Sequence, residues 1–422
     1  MSGLQEKDNW LTPIFRRTGR QDLKSLIKKL LPRSIEHKLR KFVKRPLFIQ
    51  NINHDPSVDQ ERVLLSYVVA PLERPLESVM THSNQQEVLM IIKALIDLNF
   101  SIDVAYCLDD TNTSLILQKH YDLILGFGSP FLSYSQVNPK CLKIIYLTEA
   151  SPDFSRRQEE ERDEYFFQRH KKHMLVRRTG TYFTNEQLDI ADAAILIGNE
   201  FVKETYAGLP YEIQTLFPTG MENPNFVPNR KHHEETRKCF LWFGSSGAVH
   251  KGLDILVDVF SLSENSDLTL FVCGLKDRER KLFNFRRTKN IIDLGFVPVL
   301  SNEFLALLEK CTYVILPSCS EGVATSVVTC MNHGLIPVVT RETGLDMKDF
   351  VVHMLDYHVG YVSEVVRKCA NKSVQDLETF EREVIQYAKD SFSKKAFKKN
   401  FLNALQRILA EHSPRNNWSP NE

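Results

Sequence analysis

The sequence predicts an α/β chain of two doubly wound domains, each a parallel sheet covered by helices. Three observations carry that expectation. Apolar runs of strand length alternate with helical patterns through most of the chain, as in successive β-α-β units. The 422 residues are enough for two domains of ordinary size. The alternation is interrupted once, at 218–237, by a stretch holding Pro218, Pro224, Pro228 and the polar run NRKHHEETR, where a linker is expected.

The first domain is expected over 62–217. RVLLSYVVA reads as its first buried strand, followed by a helix that starts near Ser83 or Asn84, both good caps, and turns Val88, Ile91, Ile92, Leu95 and Ile96 inward. SIDVAYC, YDLILGFG, KIIYLTEA and DAAILIG supply the next strands. The turn after the first strand has no G-x-G-x-x-G, so no dinucleotide fingerprint is present. His82 lies in that turn and Glu149 directly follows KIIYLT. Both fall at the carboxyl edge of the expected sheet, where ligands of such folds bind, and both are candidates for an acceptor side. The segment 148–184 is densely charged. Its Glu and Arg residues pair at i,i+4 spacing, which predicts a solvated helix.

The second domain is expected over 238–390, with a final helix and tail over 391–422. KCFLWFG reads as a strand running into a Gly- and Ser-rich loop, Gly244, Ser245, Ser246 and Gly247, and then a helix behind Lys251. Loop N–H groups and a lysine suit a diphosphate. LTLFVCG, NIIDLGFV and the helix SNEFLALLEK follow. The most informative stretch is 313–346. A strand ends at Pro317, a small-residue loop carries Glu321 and Gly322, a helix runs from Thr325 to Gly334, and LIPVV forms the next strand. The N–H groups of Gly322, Val323 and Ala324 are placed to face a ligand at the sheet edge. Glu321 beside them repels phosphate but accepts hydrogen bonds from hydroxyl groups. Donors for a phosphate and a carboxylate for hydroxyls suggest a phosphorylated sugar.

PSCSEG, then HGLIPVV, then ETG resembles the donor-site segment of retaining nucleotide-sugar glycosyltransferases of the GT-B fold, the family-4 or group 1 type. The resemblance implies two Rossmann-like domains facing a cleft, with the last helices crossing back to the first. Glu321, Gly334, Pro337 and Gly344 match the pattern, as do Lys251 and Gly252. Thr329 stands where the family has a second Glu that holds the ribose, and Ser246 where it has an Arg that grips the diphosphate with the lysine. The implied catalytic residues are Glu321 and Lys251. The implied donor contacts are Gly244, Ser245, Ser246, Gly247, Lys251, Gly322, Val323, Ala324, Thr325 and Thr329. The partners implied are a nucleotide-sugar donor, which is a substrate rather than a cofactor, and a glycan or lipid-linked acceptor. The activity implied is hexosyl transfer with retention, in polysaccharide or glycoconjugate synthesis. A non-catalytic sugar- or partner-binding module, a sugar-nucleotide epimerase and a phosphorylase remain as rival readings on the same fold.

Composition bounds the rest. A net charge of +1 carries no nucleic-acid signature. The eight cysteines are scattered without any C-x-x-C, which predicts free thiols in a reducing, cytoplasmic setting and no zinc site. No metal is expected either from Asp109 and Asp110, which are adjacent rather than spaced, or from His232 and His233, which lack other ligands nearby. The stretch 1–61 reads as a patternless start, a basic segment and a polar linker at 47–61. No signal peptide is read in it. Over 15–46, Leu23, Leu26, Ile27, Leu30 and Leu31 recur at helical spacing against Lys24, Lys28 and Lys29. That pattern fits either a helix on an anionic membrane surface, here the cytoplasmic face, or one packed on the protein itself. Vesicle sedimentation with and without these residues decides between the two.

Overall fold

The structure is a computed structural model and describes residues 47–73, 82–180, 182–223, 231–283, 285 and 288–412. The basic segment at 15–46 lies outside the described residues.

The first sheet is built from β1 (Phe48–Ile52), β2 (Arg62–Tyr67), β3 (Ser101–Tyr106), β4 (Leu123–Gly126), β5 (Leu142–Leu147), β6 (Ala193–Ile197) and β7 (Ile213–Leu216), in the order β1-β3-β2-β4-β5-β6-β7. Strands β2 to β7 run parallel, with Val63 opposite Ile102 and Leu123, and with Ile144 opposite Ala193. The second sheet takes β8 (Cys239–Phe243), β9 (Thr269–Cys273), β10 (Ile291–Gly295), β11 (Tyr313–Leu316), β12 (Ile336–Thr340) and β13 (Val352–Met354), all parallel, in the order β10-β9-β8-β11-β12-β13. In each sheet the chain builds outward on one side of its first parallel strand and then on the other. The second sheet therefore changes direction between β8 and β11, leaving a crevice beyond their carboxyl ends.

Helices cover the faces because their apolar stripes need burial. Helix α1 (Ser83–Asp97) turns Val88, Ile91, Ile92 and Leu95 inward, as its spacing predicts. Its first turn is closed by Gln85, whose Oε1 accepts from the His82 N–H at 3.2 Å. Helix α2 (Pro152–His170) follows β5, α3 (Leu253–Ser261) follows the Lys251 loop, and α4 (Thr325–Met331) follows the Glu321 loop. The chain closes with α5 (Val359–Ala370), α6 (Val374–Phe392) and α7 (Lys394–His412). Helix α7 returns to the first domain, where it lies on α1, β6 and β7.

The structure corrects two expectations. Residues 47–61 are not wholly linker, because β1 pairs antiparallel with β3 and forms the edge of the first sheet. Its polar Gln50 and Asn51 are exposed, while Phe48 and Ile52 are buried. The charged segment after Glu149 is not a solvated helix. Glu159 and Arg162 of α2 are buried, at 0% and 2% exposure, because this helix lies against the second domain, and Asp163, at 8%, is covered by the first domain's own segment at 173–177. Strands β7 and β13, which the apolar pattern did not announce, are also sheet edges.

Candidate active site

The loop after β8 is shaped by its glycines. A Cβ on Gly244 would sit 2.4 Å from the buried Trp242 ring, so only glycine lets the chain cross the indole. The indole Nε1 in turn donates to the Lys251 carbonyl at 3.1 Å. Gly247 has φ +86°, and its carbonyl accepts from the Lys251 N–H at 2.8 Å. This tight fold brings Lys251 back over the end of β11, where it is almost fully buried. Ser245 is exposed and Ser246 half-buried.

The loop after β11 brings Glu321 to meet it. Lys251 Nζ and the Glu321 carboxylate are in direct contact. Ser318 Oγ donates to the same oxygen, Oε1, at 2.9 Å, and Ser318 is held by Thr340, whose Oγ1 donates to the Ser318 carbonyl at 2.6 Å. Burial pushes the Glu321 carboxyl up, but the charges of Lys251, Arg178 and His250 more than offset it and hold the group at about 2. Burial lowers Lys251, with Arg178 adding to the effect and Glu321 opposing it. The carboxylate, facing three cations, is the more firmly charged of the pair.

The first domain closes over these loops. A Cβ on Gly322 would fall 2.5 Å from the Thr148 carbonyl and 2.6 Å from that of Ile197, at the ends of β5 and β6. The two sheets thus meet carboxyl edge to carboxyl edge. Glu149 stands at this junction, where its Oε1 accepts from Arg178 at 2.8 Å and its carbonyl accepts from Tyr206 Oη at 2.7 Å. Beneath lies His250, fully buried, between Glu159 Oε1 at 2.9 Å and the Ser320 carbonyl at 2.6 Å. Both acceptors demand a ring N–H, so His250 is an imidazolium. Burial opposes that charge, but Cys319, Glu159 and Glu321 raise the ring to about 10. Glu159 also takes the N–H of Arg178 at 2.6 Å and the Thr179 hydroxyl at 2.7 Å.

Other expected residues are placed differently. The N–H groups of Gly247 and Ala248 already donate to the buried carboxylate of Glu279, at 2.9 and 2.6 Å, so a diphosphate there must compete with an anion. Val323 and Ala324 are buried, and the Ala324 N–H donates to the Thr343 carbonyl at 3.0 Å. Thr325 opens α4, and its carbonyl accepts from Thr329 Oγ1 at 2.8 Å. Thr329 Oγ1 also accepts from the Met221 N–H at 3.1 Å, which ties it to the connection between the domains. His82 is solvent-accessible at the start of α1. Nearby protein atoms and the charges of Arg178 and Lys251 nonetheless hold its imidazole below the ordinary range. Sequence reasoning missed Arg178, Glu159, His250 and Glu279. His250 adjoins Lys251, but no spacing linked the others to the site.

Two largely parallel sheets that meet carboxyl edge to carboxyl edge, with the last helix returning to the first domain, make this a GT-B fold. Residues 237–371 match the family described as Glycosyl transferases group 1. Three solved structures share the fold at low sequence identity. The lipopolysaccharide outer core galactosyltransferase WaaB, apo form, superposes with TM-score 0.54 at 12% identity, over 83% of this chain and 100% of that one. Sucrose-phosphate synthase from Thermosynechococcus elongatus gives 0.52 at 12% identity, over 83% and 100%. A point mutant of S. aureus TarM in complex with Fondaparinux, alpha-GlcNAc-glycerol and UDP gives 0.50 at 14% identity, over 69% of this chain. The chain spans 57% of the length of that TarM structure. No curated protein matches the sequence. Among the described residues, no helix is long and apolar enough to cross a membrane.

Proposed function

We propose that the protein is a glycosyltransferase that takes a nucleotide sugar on its second domain and passes the sugar, with retention, to a glycan or lipid-linked acceptor held by the first. The observation that carries this reading is the buried contact of Lys251 with Glu321 at the switch point of the second sheet, with Glu149 and Arg178 opposite. Lys251 would meet the diphosphate and stabilise the charge that grows on it as the glycosidic bond breaks, which is the main electrostatic task of such a reaction. Both contacts to Glu321 fall on Oε1, so Oε2 is the oxygen that would accept a sugar hydroxyl. His82 and Glu149 lie on the acceptor side. The leaving diphosphate would guide the acceptor onto the face it vacates. A cytoplasmic location is part of the same proposal and rests on the scattered free cysteines.

The test is incubation with UDP-, GDP- and ADP-sugars, with release of the nucleotide as the readout. UDP comes first, since the TarM structure contains it. Release by the wild-type protein and its loss in Lys251→Ala is the expected result. No release with any sugar, with or without added glycan, would sink the enzyme reading. A second reading, a non-catalytic GT-B module, is favoured by one feature: Glu279 occupies the loop N–H groups that would otherwise hold a diphosphate.

A further inference from the structure

The charges at the cleft come from both domains. Arg178 belongs to the first, yet its stem packs on the turn of the second. A Cβ built on Gly247 would lie 3.1 Å from Arg178 Cδ and 3.5 Å from its Cγ. Its guanidinium binds Glu149 at 2.8 Å, and its charge reaches Glu321 and opposes that of Lys251. Two cations from different domains therefore lie close enough to feel each other beside the loops after β8 and β11. They repel each other, and the carboxylates of Glu149 and Glu321 hold them there. Other cations nearby are committed elsewhere. His250 spends both ring nitrogens on Glu159 and Ser320, Arg162 donates to the Pro317 carbonyl at 2.8 Å, and Arg169 is bound to Asp254 and Asp258. Ser246, beside the turn, carries no charge.

We propose that Arg178 is the second cation of the diphosphate site, so that the site is complete only where the two domains meet. The inference rests on the nucleotide-sugar reading above. A guanidinium offers a planar fork that fits two phosphate oxygens, while Lys251 acts as a point charge. An incoming diphosphate takes over the role that Glu149 and Glu321 now fill. This releases Glu149 toward the acceptor and Glu321 toward the sugar. Donor binding then favours the closed arrangement of the domains, since neither domain alone presents both cations.

Calorimetric titration of the full chain with UDP, GDP and ADP tests this, with Lys251→Ala as the reference. Arg178→Ala should weaken the best-bound diphosphate at least tenfold, and binding should become less sensitive to salt because one ionic contact is gone. Arg178→Lys, which keeps the charge and loses the fork, should fall between and decides the matter if Arg178→Ala does not fold. Loss of binding in Lys251→Ala with affinity unchanged in both Arg178 variants overturns this inference alone. Weaker binding in Arg178→Ala with unaltered salt dependence makes Arg178 a packing residue and overturns it too. Wild-type protein that binds none of the three, or a Lys251→Ala protein that binds normally, overturns the nucleotide-sugar reading and this inference with it.

Discussion

Helix α7 leaves the second domain and lies on the first through Phe397, Phe401, Ala404, Leu405 and Ile408. Helix α2 leaves the first domain and lies on the second through Glu159, Arg162 and Arg169. Both cross the same boundary, by opposite chemistry. The apolar face of α7 gains from removal of water and asks little of its neighbours beyond shape. Each charge that α2 brings to the crossing needs a fixed partner: His250 for Glu159, the Pro317 carbonyl and the Tyr357 ring for Arg162, and Asp254 for the half-buried Arg169. A charged crossing is thus specific to one arrangement of the domains, whereas an apolar crossing tolerates small slides. This difference places the specific contact beside the site, where Glu159 meets His250 and Arg162 meets the Pro317 carbonyl.

The largest expected effect breaks the apolar side. Phe401 is fully buried and stacks at 6.1 Å on Phe397. Phe401→Ala should cost about 3–5 kcal/mol of stability, the range for truncating a core aromatic. Denaturant unfolding should show the same loss at every pH and salt concentration. A loss that varied with salt would mean that α7 too is held by charge.

Next is the charged side. Glu159→Ala leaves the His250 imidazolium buried without its carboxylate. The cost should be about 3 kcal/mol, at the low end for breaking a buried pair because the ring can release its proton. The pH dependence follows from the signs. His250 is raised from 6.5 to about 10 in the fold, so its contribution is full below about 6.5 and is lost as pH rises toward 10. Glu159 is held at about 2 against 4.5, because its bonds to His250 and to the Arg178 N–H outweigh burial; its contribution is full above about 4.5 and is lost as pH falls toward 2. The gap between variant and wild type should be widest at about pH 4.5–6.5 and narrow on both sides. A gap flat from pH 4 to pH 9 would show that Glu159 acts through packing alone.

The contrast also decides what the sequence could reveal. Phe397, Phe401, Leu405 and Ile408 recur at helical spacing, so α7 reads directly as a buried helix. The alternating core strands read as well, and with them the loops that carry Lys251 and Glu321. The three unannounced strands, β1, β7 and β13, are short edges whose apolar runs are broken by residues such as Gln50, Gln214 and His353. In α2 the periodic signal is charge, and charge at i,i+4 normally marks a solvated face. Nothing local distinguishes Glu159, which is buried, from Glu160 and Glu161, which are not. What distinguishes them is His250, 91 residues away, and a partner at that separation leaves no local pattern. Arg178 escaped for the same reason, since its role depends on a turn of the other domain.

The smallest expected effect sharpens the comparison within a single helix. Arg156 lies three residues before Glu159 on α2 and pairs with Asp153 at 2.8 Å. Both side chains are more than half exposed, so water already solvates each charge, and holding two mobile chains together consumes most of the Coulomb gain. Asp153 also sits in the first turn, where a negative charge is favoured by the helix dipole, so the informative substitution is at Arg156. Arg156→Ala removes the pair and leaves that dipole contact intact. It should cost about 0.3 kcal/mol, and added salt should abolish the cost. Glu159→Ala, one turn further on, should keep most of its cost in the same salt, because no ion reaches the buried partner. If the two variants lost stability equally, burial would not be what separates the two faces of α2, and the charged crossing would be no more specific than a surface pair.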